Sequence, residues 1–522
     1  MINKSISLSL IALTGVTLMP AETSAALAAA ASVTPVAPID IAVSAQDGGS
    51  AFPHFWEKMF GSGRAVLALR DNYRKDLRLV KSVTDFKYVR FHAIFHDEVG
   101  LYDEDKSGKA VYNFSYIDQI YDGLLADGVR PFVELSFMPQ KLAANKTDIF
   151  GFWYKPNISP PKNYARWDAM LDAFARHLIE RYGIDEVSSW YFEVWNEPNI
   201  GFWGGKPYKP TYYELYDHSA RTLKSVSERL RVGGPSTAQA AWAGDFIEHC
   251  KQQHVPVDFI SSHVYANDSS ENVFHSKAPI PRDQMVCRAV RKSSDEIKRS
   301  SMPQLPLIYS EYNASYANEP NITDTVYMGP WLAATISQCD GLTEAMSYWT
   351  FSDVFEENGV VKTPFYGGFG LVAAGGIPKP AFNAFALLHR LGDVRLKVES
   401  DSVLATKRSD GTLVLALWNY APPDATGEKY VAAGPVGPPK TFVLHLSGLP
   451  ADAKASIWRL DADHANVIKE FDAMGRPAFP SHAQADKLRA AAALSQPEAA
   501  SWGGAALQVS VPAHGLALVE IR

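Results

Sequence analysis

Cysteine is nearly absent: Cys250, Cys287 and Cys339 are the three thiols of a 522-residue chain. So few exclude the disulfide framework of a small secreted domain, and their spacing matches no zinc knuckle. An oxidising compartment would permit one bond among them, with the pair left open; the reading adopted is three buried thiols packing as small apolar side chains. Cationic charge is also short. Fifty Lys and Arg face fifty-seven Asp and Glu, a net charge of −7, which argues against nucleic acid as a partner, because such binding needs a clustered basic footprint. No apolar run reaches the roughly 20 residues of a membrane-spanning helix, and no repeat of solenoid period occurs. His249 and His254 are five apart, do not share a helical face and make a poor metal pair. Gly368-Phe369-Gly370-Leu371-Val372-Ala373 has the spacing of a dinucleotide fingerprint, but it precedes Gly375-Gly376-Ile377-Pro378 instead of opening a helix, so it reads as a loop. No metal and no cofactor are expected.

What is present is a globular composition: 47% apolar, 20% charged and 12% aromatic residues, far from the depletion that marks disorder. Many aromatics sit beside carboxylates and Asn, which suits the faces of sugars. The N-terminus has a positive start at Met1 to Lys4, an apolar run over 6–19 and small-x-small sites over 25–31. This pattern reads as a secretory signal over 1–28, giving an exported protein, periplasmic or secreted, with no membrane association after cleavage.

Past the signal, short β-branched and aromatic runs alternate with helix-length amphipathic segments, the pattern of a parallel α/β fold. Strands are predicted at 58–61, 86–92, 130–136, 189–197, 231–235, 259–265, 305–312 and 344–351. Helices are predicted at 116–127, 164–182, 212–230, 283–299 and 325–339. Eight strand-helix units imply a (β/α)8 TIM barrel over 51–390. Beyond it, shorter runs at 412–419, 441–446 and 516–521, separated by Gly, Pro and Asp, predict a C-terminal antiparallel β-sandwich over 391–522. Residues 29–50 form a linker whose β-like part over 33–43 could add a strand to that sandwich, and the Ala-rich segment 488–506 reads as an insertion in it.

In a barrel of this kind chemistry gathers at the C-terminal ends of the strands. Two ends stand out: Trp195-Asn196-Glu197-Pro198-Asn199 after the fourth strand and Ser310-Glu311-Tyr312-Asn313 on the seventh. Pro198 keeps Glu197 out of the helical region, which fits a strand ending at the barrel mouth. A lone Glu is ordinarily a structural ion-pair partner. Two at matching barrel positions face one pocket, and paired carboxylates are what glycoside hydrolysis requires: one protonated to release the leaving oxygen, one ionised to attack the anomeric carbon. His263 and Tyr265, two apart on one strand, share a face; His92 ends the second strand, and Trp349 ends the eighth.

The ordered set Val89-Arg90-Phe91-His92, Trp195-Asn196-Glu197-Pro198-Asn199, His263-Val264-Tyr265, Ser310-Glu311-Tyr312-Asn313-Ala314-Ser315-Tyr316 and Tyr348-Trp349-Thr350-Phe351-Ser352-Asp353-Val354-Phe355-Glu356-Glu357 resembles glycoside hydrolase family 39, the retaining β-xylosidases and α-L-iduronidases, over about 60–391. The resemblance implies Glu197 as general acid/base and Glu311 as nucleophile. It also implies Asn196 as the partner of the sugar 2-hydroxyl, and His92, His263, Tyr265, Tyr316, Trp349 and Glu357 as substrate-binding residues, Trp349 as a platform under the ring and Glu357 on the outer hydroxyls. Relatives more often have Gly after the His92 position and a small residue at His96, so a different pocket rim is expected. The loop 137–164, with Phe152, Trp153 and Tyr154, could narrow the site to one terminal sugar or bind further units.

The expected activity is an exo-acting β-xylosidase that releases terminal xylose from xylo-oligosaccharides by double displacement. α-L-Arabinosides, α-L-iduronides and exopolysaccharides are alternative substrates for the same carboxylate pair. A uronate would need cationic partners, and Arg90 is the one cation in these motifs. A non-catalytic sugar-binding protein is opposed by the presence of both Glu197 and Glu311.

Overall fold

Strands that are apolar at consecutive positions must be covered on both faces, and in the computed structural model eight of them close into a parallel barrel. The residues described are 37–423, 425–430, 437–450, 452–500 and 506–522; the proposed signal, 1–28, lies outside them. The barrel strands are β1 Met59–Gly61, β2 Tyr88–Phe91, β3 Arg130–Leu135, β4 Tyr191–Val194, β5 Arg231–Thr237, β6 Phe259–Tyr265, β7 Leu307–Asn313 and β8 Ala345–Tyr348. They neighbour one another in chain order, and β8 pairs with β1 to close the ring. The main helices that follow them are α1 Asp71–Lys81, α2 Ser115–Ala126, α3 Tyr164–Tyr182, α4 Tyr208–Val226, α5 Ala243–Gln252, α6 Arg282–Arg299, α7 Met328–Cys339 and α8 Pro380–Leu388. Helix α4 starts and ends four residues before the expected 212–230. Pro210 is tolerated in its first turn, where the backbone N–H has no helical partner, and Ser227 is extended.

The barrel interior is layered by the two-residue period of the strands. Met59, Phe132, Tyr191, Phe259, Ile308 and Ala345 form an apolar plug near the strand starts. Two residues further along β2, β3 and β4 stand Arg90, Glu134 and Glu193, all fully buried. Arg90 pairs with both carboxylates, at 2.7 and 2.6 Å. One buried cation thus compensates two buried anions, without which neither charge could be desolvated. This layer is the floor of the pocket above it.

Six strands after the barrel and one before it form an antiparallel sheet in the order Ser50–Ala51, Val394–Leu396, Val403–Lys407, Leu413–Trp418, Leu516–Ile521, Ala455–Leu460, Glu498–Ala500. Both faces are covered. Val414, Ala416 and Trp418 belong to the barrel core, whereas Leu413, Leu415 and Leu417 share a second apolar cluster with a three-stranded sheet. That smaller sheet is mixed. Ile39–Ser44 runs parallel to Lys440–Ser447, which pairs antiparallel with Leu507–Val511, so the expected all-antiparallel arrangement is corrected by the strand that the N-terminal segment contributes. Helix His482–Ala492, whose C-terminal part enters the Ala-rich segment, packs with Val467–Ala473 on Phe365, Ala373 and Ile377 of the loop after β8. The helix packs on the barrel's loop, while Glu498–Ala500 of the Ala-rich segment extends the seven-stranded sheet by pairing with Ala455–Leu460.

The reading of three buried thiols is also corrected: Cys287 of α6 is bonded to Cys339 of α7, and buried Cys250 remains a free thiol. The two bonded residues are 52 apart in sequence, and adjacent barrel helices bring them together. No helix among the described residues is long and apolar enough to cross a membrane.

Candidate active site

A cavity of about 290 Å³ opens at the C-terminal ends of the strands, lined by His92, Asn196, Glu197, Tyr265, Glu311, Tyr316, Trp349 and Glu357 among others. Of the nine expected site residues, His263 alone is not a wall residue. It is fully buried directly behind Glu197, its Nδ1 3.0 Å from Glu197 Oε1.

Glu197 is not on a strand. β4 ends at Val194, and Trp195 and Glu197 take left-handed backbone angles, φ 71° and 43°, where a residue other than Gly is strained. The Glu197 N–H donates to Ser236 O at 2.8 Å, which anchors the turn to the next strand end. Pro198 does exclude the right-handed helical region, but the chain uses the left-handed one instead of the extended one. Glu311 reaches the cavity by a different device. Tyr309 pairs with Ser262 but Glu311 with His263, so β7 carries one extra residue. The bulge turns both Ser310 and Glu311 inward, where strict alternation would have sent one of them out.

The two carboxyls have unlike surroundings. Glu311 Oε1 accepts from Arg90 Nη1 at 2.7 Å, and its Oε2 accepts from the Tyr265 hydroxyl at 2.6 Å. Burial raises its pKa, while Arg90, His92 and the Tyr265 bond oppose the rise. Glu197 is raised well above the usual carboxylate range by burial, then by the charges of Glu311 and Asp268. The proton therefore resides on Glu197.

Hydrogen-bond accounting supports that placement. Ser310 Oγ donates to Glu193 Oε1 at 2.6 Å and so accepts from His263 Nε2 at 3.1 Å. Burial holds the His263 pKa well below its usual value, so the neutral ring keeps its proton on Nε2 and offers Nδ1 as acceptor to the Glu197 O–H. His92 is the opposite case. Burial would lower its pKa, but Glu134, whose Oε2 is 2.7 Å from Nδ1, and Glu311 outweigh it and raise the value. Its Nε2 lies 3.7 Å from Glu357. Burial pushes Glu357 up to about 8.

Asn196 Oδ1 accepts from Arg90 Nη2 at 3.0 Å, while its buried Nδ2 has no partner, which leaves one donor for a ligand. Trp349 sits against His92, ring centroids 4.8 Å apart, with the Arg90 guanidinium 5.8 Å from its centroid. Gly61 gives the indole its seat: a Cβ there would lie 2.1 Å from Trp349 Cε3. Gly61→Ala is expected to displace Trp349 and lower kcat/KM at least about tenfold, as misplacing a contact by about 1 Å costs up to a hundredfold. Steady-state kinetics beside a thermal melt check this; parent-like kinetics would show that the ring's seat does not matter.

Neither of the two rim positions singled out in the sequence, Ala93 and His96, lines the cavity. Ala93 is held at φ 71°, and His96 is packed edge-on to Tyr154. In the loop 137–164, Phe152 lines the cavity and the Trp153 N–H donates to Glu357 O at 2.8 Å, so the loop closes the Glu357 side. Sequence reasoning missed Glu134, Glu193, Gln239 and Asp268. The first two were detectable as charged residues inside apolar strands; the last two lie in loops with no pattern.

Glu197, His263 and Glu311 offer ligand atoms within 4.8 Å of one another, as do His54, Glu57 and His389. In the first trio Arg90 is already bonded to Glu311, and its positive charge repels a cation. In the second, Glu57 accepts from both imidazoles at 2.6 and 2.8 Å, a bonded set that ties the segment before β1 to the end of α8.

Comparison with known proteins agrees with this geometry. The profile of glycosyl hydrolases family 39 matches residues 39–505. A β-xylosidase of Geobacillus stearothermophilus is 36% identical over 489 residues, covering 91% of this chain and 94% of that protein. One of Caldicellulosiruptor saccharolyticus is 36% identical over 485 residues, covering 90% and 95%. The crystal structure of a β-xylosidase from Caulobacter crescentus superimposes with a TM-score of 0.83 at 32% identity, covering 93% of this chain and 99% of that one. The chain is a glycoside hydrolase and belongs to glycosyl hydrolases family 39.

Proposed function

We propose that the protein is an exported, retaining, exo-acting β-xylosidase that removes terminal xylose from xylo-oligosaccharides. The observation that carries the reading is the carboxyl pair. One oxygen of Glu197 and one of Glu311 lie within 4.8 Å of each other, which favours the close pairing of retaining enzymes, roughly 5 to 5.5 Å, over the roughly 6.5 to 9.5 Å that leaves room for an inverting water. Glu311 is the nucleophile, its charge held by Arg90 and Tyr265. Glu197 is the acid that protonates the leaving oxygen and then the base that activates water.

The free Asn196 Nδ2 donates to the sugar 2-hydroxyl, a bond that strengthens as positive charge develops on the ring. Trp349 supports the ring, and His92 and Glu357 bind its outer hydroxyls. Tyr316, 56% exposed and edge-on to Tyr265, borders the entrance. Closure of the Glu357 side by Phe152 and Trp153 supports cleavage one terminal sugar at a time. The β-xylosidases at 36% identity over most of both chains support xylose as that sugar. Arg90 is already bonded to three carboxylates and offers a uronate little. The facing sheets form the accessory sandwich, and 1–28 is the export signal, tested by the N-terminus of protein recovered outside the cytoplasm.

A panel of nitrophenyl glycosides tests the activity: β-xyloside is expected to be turned over fastest, ahead of α-L-arabinoside, α-L-iduronide and β-glucoside. NMR of the first product from a β-xyloside is expected to show β-xylose. Preference for another glycone would overturn the substrate, and α-xylose as first product the mechanism.

A further inference from the structure

The cavity has two unlike sides. His92, Trp349 and Glu357 come from the ends of β2 and β8, whereas Ile200, Phe202, Gln239 and Asp268 come from the loops after β4, β5 and β6. The general acid, Glu197, stands on the second side. A general acid must reach the oxygen of the departing group, so side chains beside it contact the leaving group and not the sugar being transferred.

The end of β5 and the loop after it carry a cluster of strained backbone positions beside the site. Ser236, Gln239, Ala240 and Trp242 all have left-handed angles, φ 53°, 62°, 52° and 63°, and none is Gly. Such a run persists only where bonds from outside hold it. Asn199, the last residue of the Asn-Glu-Pro-Asn segment, provides two of them: its Oδ1 accepts from Ala238 N at 2.9 Å and its Nδ2 donates to Ala238 O at 3.0 Å. Lys292 Nζ donates to Ala240 O at 2.6 Å. The result is that Gln239 is fixed in the cavity wall beside Glu197. Its Nε2 makes one long bond, 3.4 Å, to Asp268 Oδ1. Asp268 is anchored by its Oδ2, which accepts from Tyr265 N at 2.8 Å.

We propose that Gln239, oriented by Asp268, is the polar anchor of a leaving-group subsite that hydrogen-bonds the hydroxyls of a pyranosyl aglycone. This rests on the glycosidase reading of the same cavity. A primary amide offers donor and acceptor side by side, which matches the hydroxyls on a pyranose edge. Ile200 and Phe202 offer apolar surface to its C–H faces, and Tyr316 is exposed at the entrance. The long bond to Asp268 is weak and yields to a ligand.

The test is Gln239→Gly, which removes the amide while giving the left-handed backbone the residue that suits it. The ratio of kcat/KM for xylobiose to that for 4-nitrophenyl β-xyloside is expected to fall at least about tenfold, as when a site built around a hydroxyl loses its partner. Transfer of xylose from the enzyme to added xylose, measured against hydrolysis, is expected to fall with it. The melting temperature is expected to equal or exceed the parent's. An unchanged ratio in a folded variant would overturn the proposal and show an aglycone site read by its apolar walls alone. If the glycine variant fails to fold, Gln239→Ala, which also removes the amide and which the chain already tolerates in this conformation at Ala240, φ 52°, takes its place with the same criteria. If the parent prefers another glycone, the ratio is measured with the disaccharide and nitrophenyl glycoside of that sugar, so an error in the sugar and an error in the subsite give different results.

Discussion

Glu311→Ala is expected to lower hydrolysis of 4-nitrophenyl β-xyloside by about 10³-fold or more, since the reaction loses the group that forms the covalent intermediate. What the substitution leaves behind makes the second half of the result specific. Arg90 Nη1 and the Tyr265 hydroxyl, which donate to the two Glu311 oxygens at 2.7 and 2.6 Å, keep their places, and His92 Nε2 lies 3.9 Å from Glu311 Oε1. Two donors and an imidazole then surround a space the size of a carboxylate, a ready site for a small anion. Added azide is expected to bind there, attack the anomeric carbon from the nucleophile's side and release α-xylosyl azide, with turnover rising as azide is added. Proton NMR of the product reads the anomer. Parent-like activity without azide, or a β-configured azide, would remove Glu311 from the nucleophile's role.

The barrel was legible because strand and helix periods differ and alternate eight times. The plug and the charged layer above it occupy two-residue steps that the sequence displays openly, Phe132 then Glu134, Tyr191 then Glu193. Glu197 and Glu311 were also legible as residues, but not the way they reach the cavity. A bulge on β7 and a left-handed turn after β4 are local departures from period two, and they arise from tertiary bonds such as Glu197 N–H to Ser236 O. The disulfide was not legible because Cys287 and Cys339 meet through helix packing across 52 residues. The strand Ile39–Ser44 escaped a firm reading for the same reason: its partner, Lys440–Ser447, lies at the other end of the chain. Gln239 and Asp268 carry no periodic or motif signal, and only the loops that bring them to Glu197 mark them.

Glu197→Gln tests the acid, and its result depends on the substrate. From xylobiose the leaving group is a poorly acidic hydroxyl of the second xylose, which needs a proton at the transition state; nitrophenolate leaves without one. The substitution is expected to lower kcat/KM on xylobiose by about 10² to 10⁴-fold, the range of general acid catalysis, and to cost far less on the aryl xyloside. The pH profile separates this from simple damage to the pocket. In the parent, the active form has Glu197 protonated and Glu311 ionised, so activity falls as pH rises through the Glu197 pKa and as it falls through that of Glu311. Burial and the charges of Glu311 and Asp268 place the Glu197 limb well above the ordinary carboxylate range. Glutamine does not titrate, so the variant is expected to lose the alkaline limb due to Glu197 and keep the acidic one. The amide also offers His263 Nδ1 an N–H in place of the O–H it accepts at 3.0 Å, which keeps the ring and its bond to Ser310 in place. Equal losses on the two substrates, with both limbs retained, would mean that the leaving oxygen receives its proton from another group, with Asp268, pushed up to about 6 by burial, the first to test.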